Sequence, residues 1–391
     1  MSRIIEHILS PLPLSEFLDK YNYREAVHIK GDCEKFKDLF DWEGLNNELA
    51  VRSLNGAPIK IGEGGSAYLT NDARKVIERA RAGSTIVLED IDNGDARLRN
   101  FLNSFSDEIL TTTRFNLYLS FPGKQGYHLH YDTHDFFILQ LEGFKEWHVY
   151  PETIKSPLFH LKEHGIVPPT AEQMYLKCTL SKGDVLYVPK GHWHDAISVD
   201  EPSVHLTLAM FTPTGIDFLE WFVDEMRDDP DIRKTFPFVL KDDLSLTGET
   251  APSVMAFLEK MKELVIAKFN NETLEPEYRR YLVAKKKNRM PFTFPDQFSP
   301  ASGLEHFKSV PQSTLLRYKD RTKTELLYAG KVASFNRKAT PILEYILSSE
   351  GFSRSDLDVY NESTTSKELD QILTFMMKEG LIVAADHKNI N

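Results

Sequence analysis

The chain has 391 residues, enough for two or three domains that each bury a core. Hydrophobic residues make up 41% and charged residues 27%, ordinary globular usage that excludes a disordered, collagen-like or coiled-coil protein. Asp plus Glu outnumber Lys plus Arg by 58 to 47, and the net charge of -11 repels phosphates, so nucleic acid binding is not the expected main activity. The two cysteines, Cys33 and Cys178, are too few for a disulfide framework and point to a reducing compartment, the cytoplasm. The N-terminus, MSRIIEHILSPLPLSEF, lacks the apolar run of a signal peptide. No stretch of about 18 apolar residues is present to span a membrane.

Residues 13–31 read as a helix, PLSEFLDKYN, followed by a strand, EAVHIK, with Ser15 as the expected N-cap before Phe17, Leu18 and Tyr21. Residues 72–82 read as a helix stopped by Gly83, and STIVLEDI follows as a strand. From about 112 to 212 the texture changes to short apolar or alternating runs with Gly and Pro turns between them: RFNLYLSF, YHLHYD, DFFILQL, KEWHVYP, GDVLYVP, HWHDAISV and SVHLTLAMF. Such a series predicts an antiparallel sandwich or barrel. After Pro213, GIDFLEWFVDEMRD, PSVMAFLEKMKELVIAKF and EPEYRRYLVAKKK carry helical apolar spacing. The basic run AKKKNRM reads as a solvated helix face. Residues 322–391 read as helix, helix, strand (TPILEYILSSEG, TSKELDQILTFMMKEG, LIVAA), a small unit compatible with a winged-helix module.

Chemistry concentrates in the strand-rich region, where nine of the 13 histidines lie between His128 and His205. On a strand, residues i and i+2 share a face, so His130 and Asp132 can project together into a barrel, with His128 on the same face. An imidazole, a carboxylate and a second histidine from a later strand make a facial triad suited to non-haem Fe(II). Periodicity leaves His192 and His194 both open as that second histidine. A ligand directly after Gly191 would sit in a turn, which favours His194. His-x-Asp alone is a weak signal, because a polar surface strand produces it by chance. Lys145, after Glu142-Gly143, reads by itself as a turn lysine in water. His134 and Asp135 read as groups that orient the region or bond backbone, His205 as either near the metal or a satisfied barrel histidine, and His148, His160 and His164 as structural or exposed. Trp147 and Trp193 read as core. No Gly-rich phosphate loop, CxxC pair or GxSxG elbow is present, which leaves NTPase, zinc-finger and serine hydrolase readings without support.

Taken in order, Asn116-Leu-Tyr118, His130-Tyr-Asp132-Thr-His-Asp135, Gln140-Leu-Glu-Gly143-Phe-Lys145-Glu-Trp147, Gly183-Asp184 through Pro189-x-Gly191-x-x-His194, and His205-Leu-Thr207 carry a resemblance. The chain resembles the JmjC/cupin-type 2-oxoglutarate oxygenases, and most closely the ribosomal-oxygenase branch. The match spans roughly residues 13–213, and more weakly the helical segment and the tail. The resemblance implies a mainly β catalytic core, a double-stranded β-helix or jelly-roll JmjC barrel, with a helical dimerisation region and a C-terminal winged-helix-like module. The corresponding domains are 1–213, 214–321 and 322–391. It further implies His130, Asp132 and His194 as iron ligands, Lys145 on the distal carboxylate of 2-oxoglutarate, and Asn116, Tyr118 and Thr207 lining the same cosubstrate pocket. Fe(II), 2-oxoglutarate and O2 are the implied cofactor and cosubstrates. A protein or peptide side chain, a ribosomal protein among the candidates, is the implied substrate, and the enzyme is expected as a homodimer away from membranes. Trp221, Phe222, Phe257 and Leu264 are the apolar residues expected at the dimer contact. Two other readings stay in view: an oxygenase of a ribosomally made peptide or small natural product, and a non-catalytic cupin-like binding protein.

Overall fold

A computed structural model describes residues 3–122, 126–158, 166–227, 229–237, 252–285, 303–310, 314–318, 322–328, 331–359 and 364–385. Twelve strands build the first part of the chain: β1 (Val27–Ile29), β2 (Ile59–Glu63), β3 (Ser66–Thr70), β4 (Thr85–Leu88), β5 (Thr112–Ser120), β6 (His130–Tyr131), β7 (Asp135–Glu142), β8 (Lys145–Glu152), β9 (Leu176–Leu180), β10 (Val185–Val188), β11 (His192–Ser198) and β12 (Ser203–Phe211). They form a major sheet in the order β1-β10-β7-β12-β5-β4-β2-β3 and a minor sheet in the order β6-β11-β8-β9, with all pairings antiparallel. This is the expected jelly roll.

β7 and β10 of the major sheet are covered on both faces, which is why DFFILQL and VLYV read as unbroken apolar runs. Phe115, Leu117, Phe137, Leu139, Leu206 and Leu208 join the core with Ile8, Leu9, Leu98, Leu102 and Phe105 of the flanking helices. Their neighbours Phe136, Ile138, Leu186 and Val188 form a second core with Trp147, Val149 and Leu180 of the minor sheet. Each such side chain stabilises the fold by about 1.5–3 kcal/mol when fully buried. One end of the space between the sheets is therefore packed shut, and polar residues occupy the other.

Gly183 and Asp184 tie the N-terminal segment to this body. Gly183 has φ +89°, and a Cβ there would stand 1.9 Å from the Asp32 carbonyl oxygen. Asp184 accepts from the Gly31 amide (2.9 Å) and the Ser181 amide (3.0 Å) and faces His28 Nε2 at 3.0 Å. The expected cap at Ser15 is not formed. The helical turn begins at Leu14 after Pro13, with no side-chain cap, and continues as a π-helical turn over Phe17–Tyr21. Pro13 holds the extended φ that an N-cap needs, so the chain enters the turn one residue before Ser15. The helix at 72–82 is Ala73–Arg81, capped by Asp72, and Gly83 ends it with φ +89°. Sequence periodicity missed the helices Trp42–Asn55 and Ala96–Ile109 and the β2–β3 hairpin.

The helices Gly215–Met226, Pro252–Phe269 and Leu274–Lys285 follow. Trp221 and Phe222, expected on an exposed stripe, are buried beside Phe218, Leu264, Tyr278 and Tyr281 of their own chain. Phe257 packs on Phe236, with ring centroids 5.2 Å apart. The exposed apolar residues are others: Ile216, Leu219 and Val223 on the first helix, and Met255, Leu258 and Ile266 on the second. Most of AKKKNRM lies outside the described residues.

In the tail, the helices Thr340–Ser348 and Ser366–Lys378 and the strand Ile382–Ala384 appear where the sequence placed them. The unit also contains strands that sequence reading missed. His306–Ser309 is the middle strand between Gly351–Ser353 and Ile382–Ala384, and Phe307 is fully buried in the tail core, upstream of the boundary expected at residue 322. A second sheet runs Thr314–Tyr318, Lys323–Tyr328, Lys331–Asn336. No described helix is long and apolar enough to cross a membrane.

Candidate metal and cosubstrate site

The site lies between the two sheets. Alternation along β5 sends Phe115, Leu117 and Leu119 to the outer core and leaves Arg114, Asn116, Tyr118 and Ser120 facing the barrel interior. On β12, opposite, His205, Thr207 and Ala209 take the same direction, with His205 paired to Tyr118 and Thr207 to Asn116. The cavity, about 700 Å³, is lined by all seven residues that the family resemblance implied: Asn116, Tyr118, His130, Asp132, Lys145, His194 and Thr207.

His130 and His194 are direct partners across the β6–β11 pair. Their ring centroids are 4.4 Å apart, and His194 Nε2 lies 3.8 Å from Asp132 Oδ2. One ligand atom from each of the three residues falls within 4.8 Å of the other two. β6 is only two residues long, so Asp132 is carried by the turn beyond it, where its carbonyl accepts from the Gly191 amide at 2.8 Å. Both imidazoles are oriented by backbone. His130 Nδ1 donates to the His128 carbonyl (2.8 Å), and His194 Nδ1 donates to the His192 carbonyl (3.1 Å). This assignment leaves each Nε2 with a lone pair turned to the common centre, as a metal ligand requires. Burial, reinforced by His130, lowers the His194 pKa to about 3, so the ring stays neutral and able to ligate.

Lys145 opens β8 and is buried, against the water-exposed turn lysine that its local sequence suggests. Its Nζ donates to Ser120 Oγ at 2.8 Å, which lies 3.1 Å from Thr85 Oγ1, and it stands 5.7 Å from the Trp147 ring. Burial lowers its pKa to about 7. Among the described residues no carboxylate pairs with it. His205 is buried and stacked on Tyr118, with centroids 4.9 Å apart and an interplanar angle of 6°; its pKa is lowered by burial and then by Lys145. His205 Nδ1 and Trp147 Nε1 are buried without a hydrogen-bond partner. Unpaired buried polar groups, the Trp147 N–H donor among them, beside a desolvated ammonium cost free energy unless a polar ligand fills the space. The donor set thus fits a dicarboxylate, and the His-Asp-His set fits a divalent transition metal.

Asn116 Oδ1 also accepts from the Asp90 amide at 3.1 Å, which fixes the start of the loop after β4. Asp135 bonds backbone, accepting from the Lys190 amide at 3.1 Å, while the ring of His134 lies 4.8 Å from that of Phe211 at the cavity rim. His148 is held between Asp195 and Glu146, each 2.9 Å away. His160 and His164 lie outside the described residues. His192, which periodicity left open as the alternative ligand on the His194 face, is elsewhere: it is buried, with its Nδ1 hydrogen-bonded to the Tyr175 hydroxyl at 2.6 Å. His192 is the first residue of β11, and its amide still bonds back to the Pro189 carbonyl (3.3 Å) across the Gly191 turn, so the strand alternation does not set its side chain; the register shift beside it leaves Pro151 of β8 as the extra residue. Sequence reading also missed Lys60, Glu89, Arg114, Tyr127 and Phe211 at the cavity. Arg114 and Phe211 could have been found by carrying the alternation of β5 and β12 one step outward.

A JmjC domain model matches residues 87–218, the stretch that holds every one of these ligand candidates. The chain carries a JmjC domain. Ribosomal oxygenase 1 of Bos taurus is 29% identical over 68% of this chain and 42% of its own length. The bifunctional lysine-specific demethylase and histidyl-hydroxylase NO66 of Dictyostelium discoideum is 25% identical over 53% of this chain and 43% of its own length. The chain therefore spans less than half the length of these relatives. The structure of YcfD, a ribosomal oxygenase from Escherichia coli, in complex with cobalt and 2-oxoglutarate superposes with a TM-score of 0.63 over 96% of this chain and 99% of that one, at 13% identity, a likeness of fold. This JmjC chain is thus related to the ribosomal oxygenases.

Proposed function

We propose that this JmjC chain is an Fe(II)- and 2-oxoglutarate-dependent oxygenase that hydroxylates a side chain of a protein or peptide, with a ribosomal protein as the first candidate. One observation carries the reading. A single cavity holds two imidazoles with Nε2 turned inward, one carboxylate, and a buried ammonium that has no carboxylate partner among the described residues. His130, Asp132 and His194 would hold the iron. Lys145, oriented by Ser120, would hold the distal carboxylate of 2-oxoglutarate, with Asn116, Tyr118 and Thr207 lining the space around it. Bound iron and cosubstrate supply the oxidising chemistry: 2-oxoglutarate becomes succinate and CO2 while one oxygen atom of O2 enters a substrate C–H bond. The protein keeps His194 neutral, supplies one positive charge to the dicarboxylate, and excludes water with Trp147 and Phe136. The intact set of His130, Asp132, His194 and Lys145 in one cavity argues against a purely binding cupin, and succinate release separates the two.

The organisation we assign around this core follows the same resemblance. Residues 1–213 form the catalytic domain, the three helices between Gly215 and Lys285 the dimerisation region, and the tail a winged-helix-like module that takes in His306–Ser309 and Thr314–Tyr318, upstream of the boundary expected at 322. The free thiols Cys33 and Cys178 support a cytoplasmic setting. The test is incubation with Fe(II), 2-oxoglutarate and total ribosomal proteins. Succinate release together with a +16 Da product is expected. Iron-loaded protein that yields neither, with ribosomal proteins or with cytosolic peptides, overturns the reading.

A further inference from the structure

The tail carries a groove that the oxygenase chemistry does not use. It encloses about 550 Å³ between the strand Lys331–Asn336 and the helix Ser366–Lys378. Every residue of 332–336 lines it. Side chains of a strand alternate between faces, so an unbroken run means that the strand borders the groove with its edge, where the backbone N–H and C=O groups lie. That edge is free: the strand pairs with Lys323–Tyr328 on one side, and among the described residues no strand pairs with the other. The opposite wall is one stripe of the helix, Glu368, Gln371, Ile372 and Phe375, at i, i+3, i+4 and i+7. A further observation points to a ligand. Thr364 lines the groove, is 8% exposed, and its Oγ1 is buried without a hydrogen-bond partner.

We infer that this groove binds an extended peptide segment, which pairs with the free edge of Lys331–Asn336 as a fourth strand and packs alternate apolar side chains against Ile372 and Phe375. A strand edge offers alternating donors and acceptors that only another extended backbone satisfies along its length. Val332, 53% exposed, and the edge-to-face pair Phe335–Phe375, with centroids 5.3 Å apart, supply the apolar contact. The groove lining carries one anion, Glu368, and one cation, Lys338, and so offers no basic surface to a phosphate backbone. The peptide is a segment of the polypeptide substrate held away from the barrel; that identity, though not the groove, rests on the proposed function.

The probe is a random dodecapeptide library displayed on phage, selected on the full chain without iron or 2-oxoglutarate, so that the result is independent of turnover. Enriched peptides are expected to carry apolar residues at every second position. N-methylation of alternate residues of an enriched peptide should weaken binding about tenfold or more, and methylation of the intervening ones should not. Val332→Asp and Gln371→Trp, both at exposed positions, should each reduce affinity by a similar factor while the thermal midpoint holds. No enrichment over a blank surface, binding that persists in both variants, or a methylation scan without alternation overturns the inference. Binding with these signatures upholds it even where the bound polypeptide is not hydroxylated, a result that would count against the oxygenase reading alone.

Discussion

Lys145 is the residue on which burial and chemistry meet. In the ligand-free protein it titrates near 7 instead of 10.5, because the dry barrel penalises the ammonium. The sign follows for folding: the cost of the charged form is full below about pH 7 and is relieved as pH rises towards the unfolded value. A dicarboxylate reverses the preference and needs the charged form. Affinity for 2-oxoglutarate should therefore be flat below about pH 7 and fall about tenfold per pH unit above it, with proton uptake seen by calorimetry in buffers of different ionisation enthalpy. Lys145→Ala should lose about 1.5–3 kcal/mol, ten- to a hundred-fold in affinity, with iron binding little changed. Unchanged cosubstrate affinity would remove the lysine from the site. The histidines separate in the same way. Asp132→Ala and His194→Ala should lose iron and all turnover. His192→Ala should keep iron but cost about 1–3 kcal/mol in urea unfolding, since it removes a buried ring and its hydrogen bond to Tyr175. The reverse pattern of iron content would exchange the ligand assignment.

At the scale of elements, β10 depends on the two residues that introduce it. Asp184 gathers two backbone amides, the Ser181 hydroxyl and His28, so β1 is aligned with β10 by one buried carboxylate. Gly183 lets the chain approach Asp32 where no Cβ fits. Gly183→Ala should cost about 2–4 kcal/mol, measured by the urea midpoint, because both the positive φ and the contact forbid the methyl group. A loss under about 1 kcal/mol would show that the N-terminal segment can move away freely. The Gly-Asp pair was legible in the sequence as a strand start; its partners at Gly31 and His28 were not, because they lie more than 150 residues away. Elements with strong periodicity or terminal residues were legible too, such as Ala73–Arg81 and β12. The helix Trp42–Asn55 was not. It buries only Leu45, so no apolar stripe marks it.

For the whole molecule, the helical segment after Pro213 offers the surface that bears on assembly. Ile216, Leu219 and Val223 are 50%, 51% and 56% exposed on one face of their helix, while Trp221 and Phe222 pack inward. We expect a homodimer through this face, with about twice the 44.9 kDa chain mass in light scattering at micromolar concentration. Leu219→Glu should shift the mass towards one chain with the fold intact; a monomeric wild type would assign the stripe to another partner. The sequence alone determined the barrel, since the alternation of short strands and turns is a local property, and it determined the residue types of the site by their density between His128 and His205. Only the tertiary structure decided which of these residues meet. Lys145 became a buried group because β5 and β12 close over the start of β8. His194, already favoured by its distance from the Gly191 turn, meets His130 and Asp132 because β11 pairs with β6 at that residue, while His192 packs on Tyr175. Strand pairing and burial are set by segments far apart in the chain, and no local pattern encodes them.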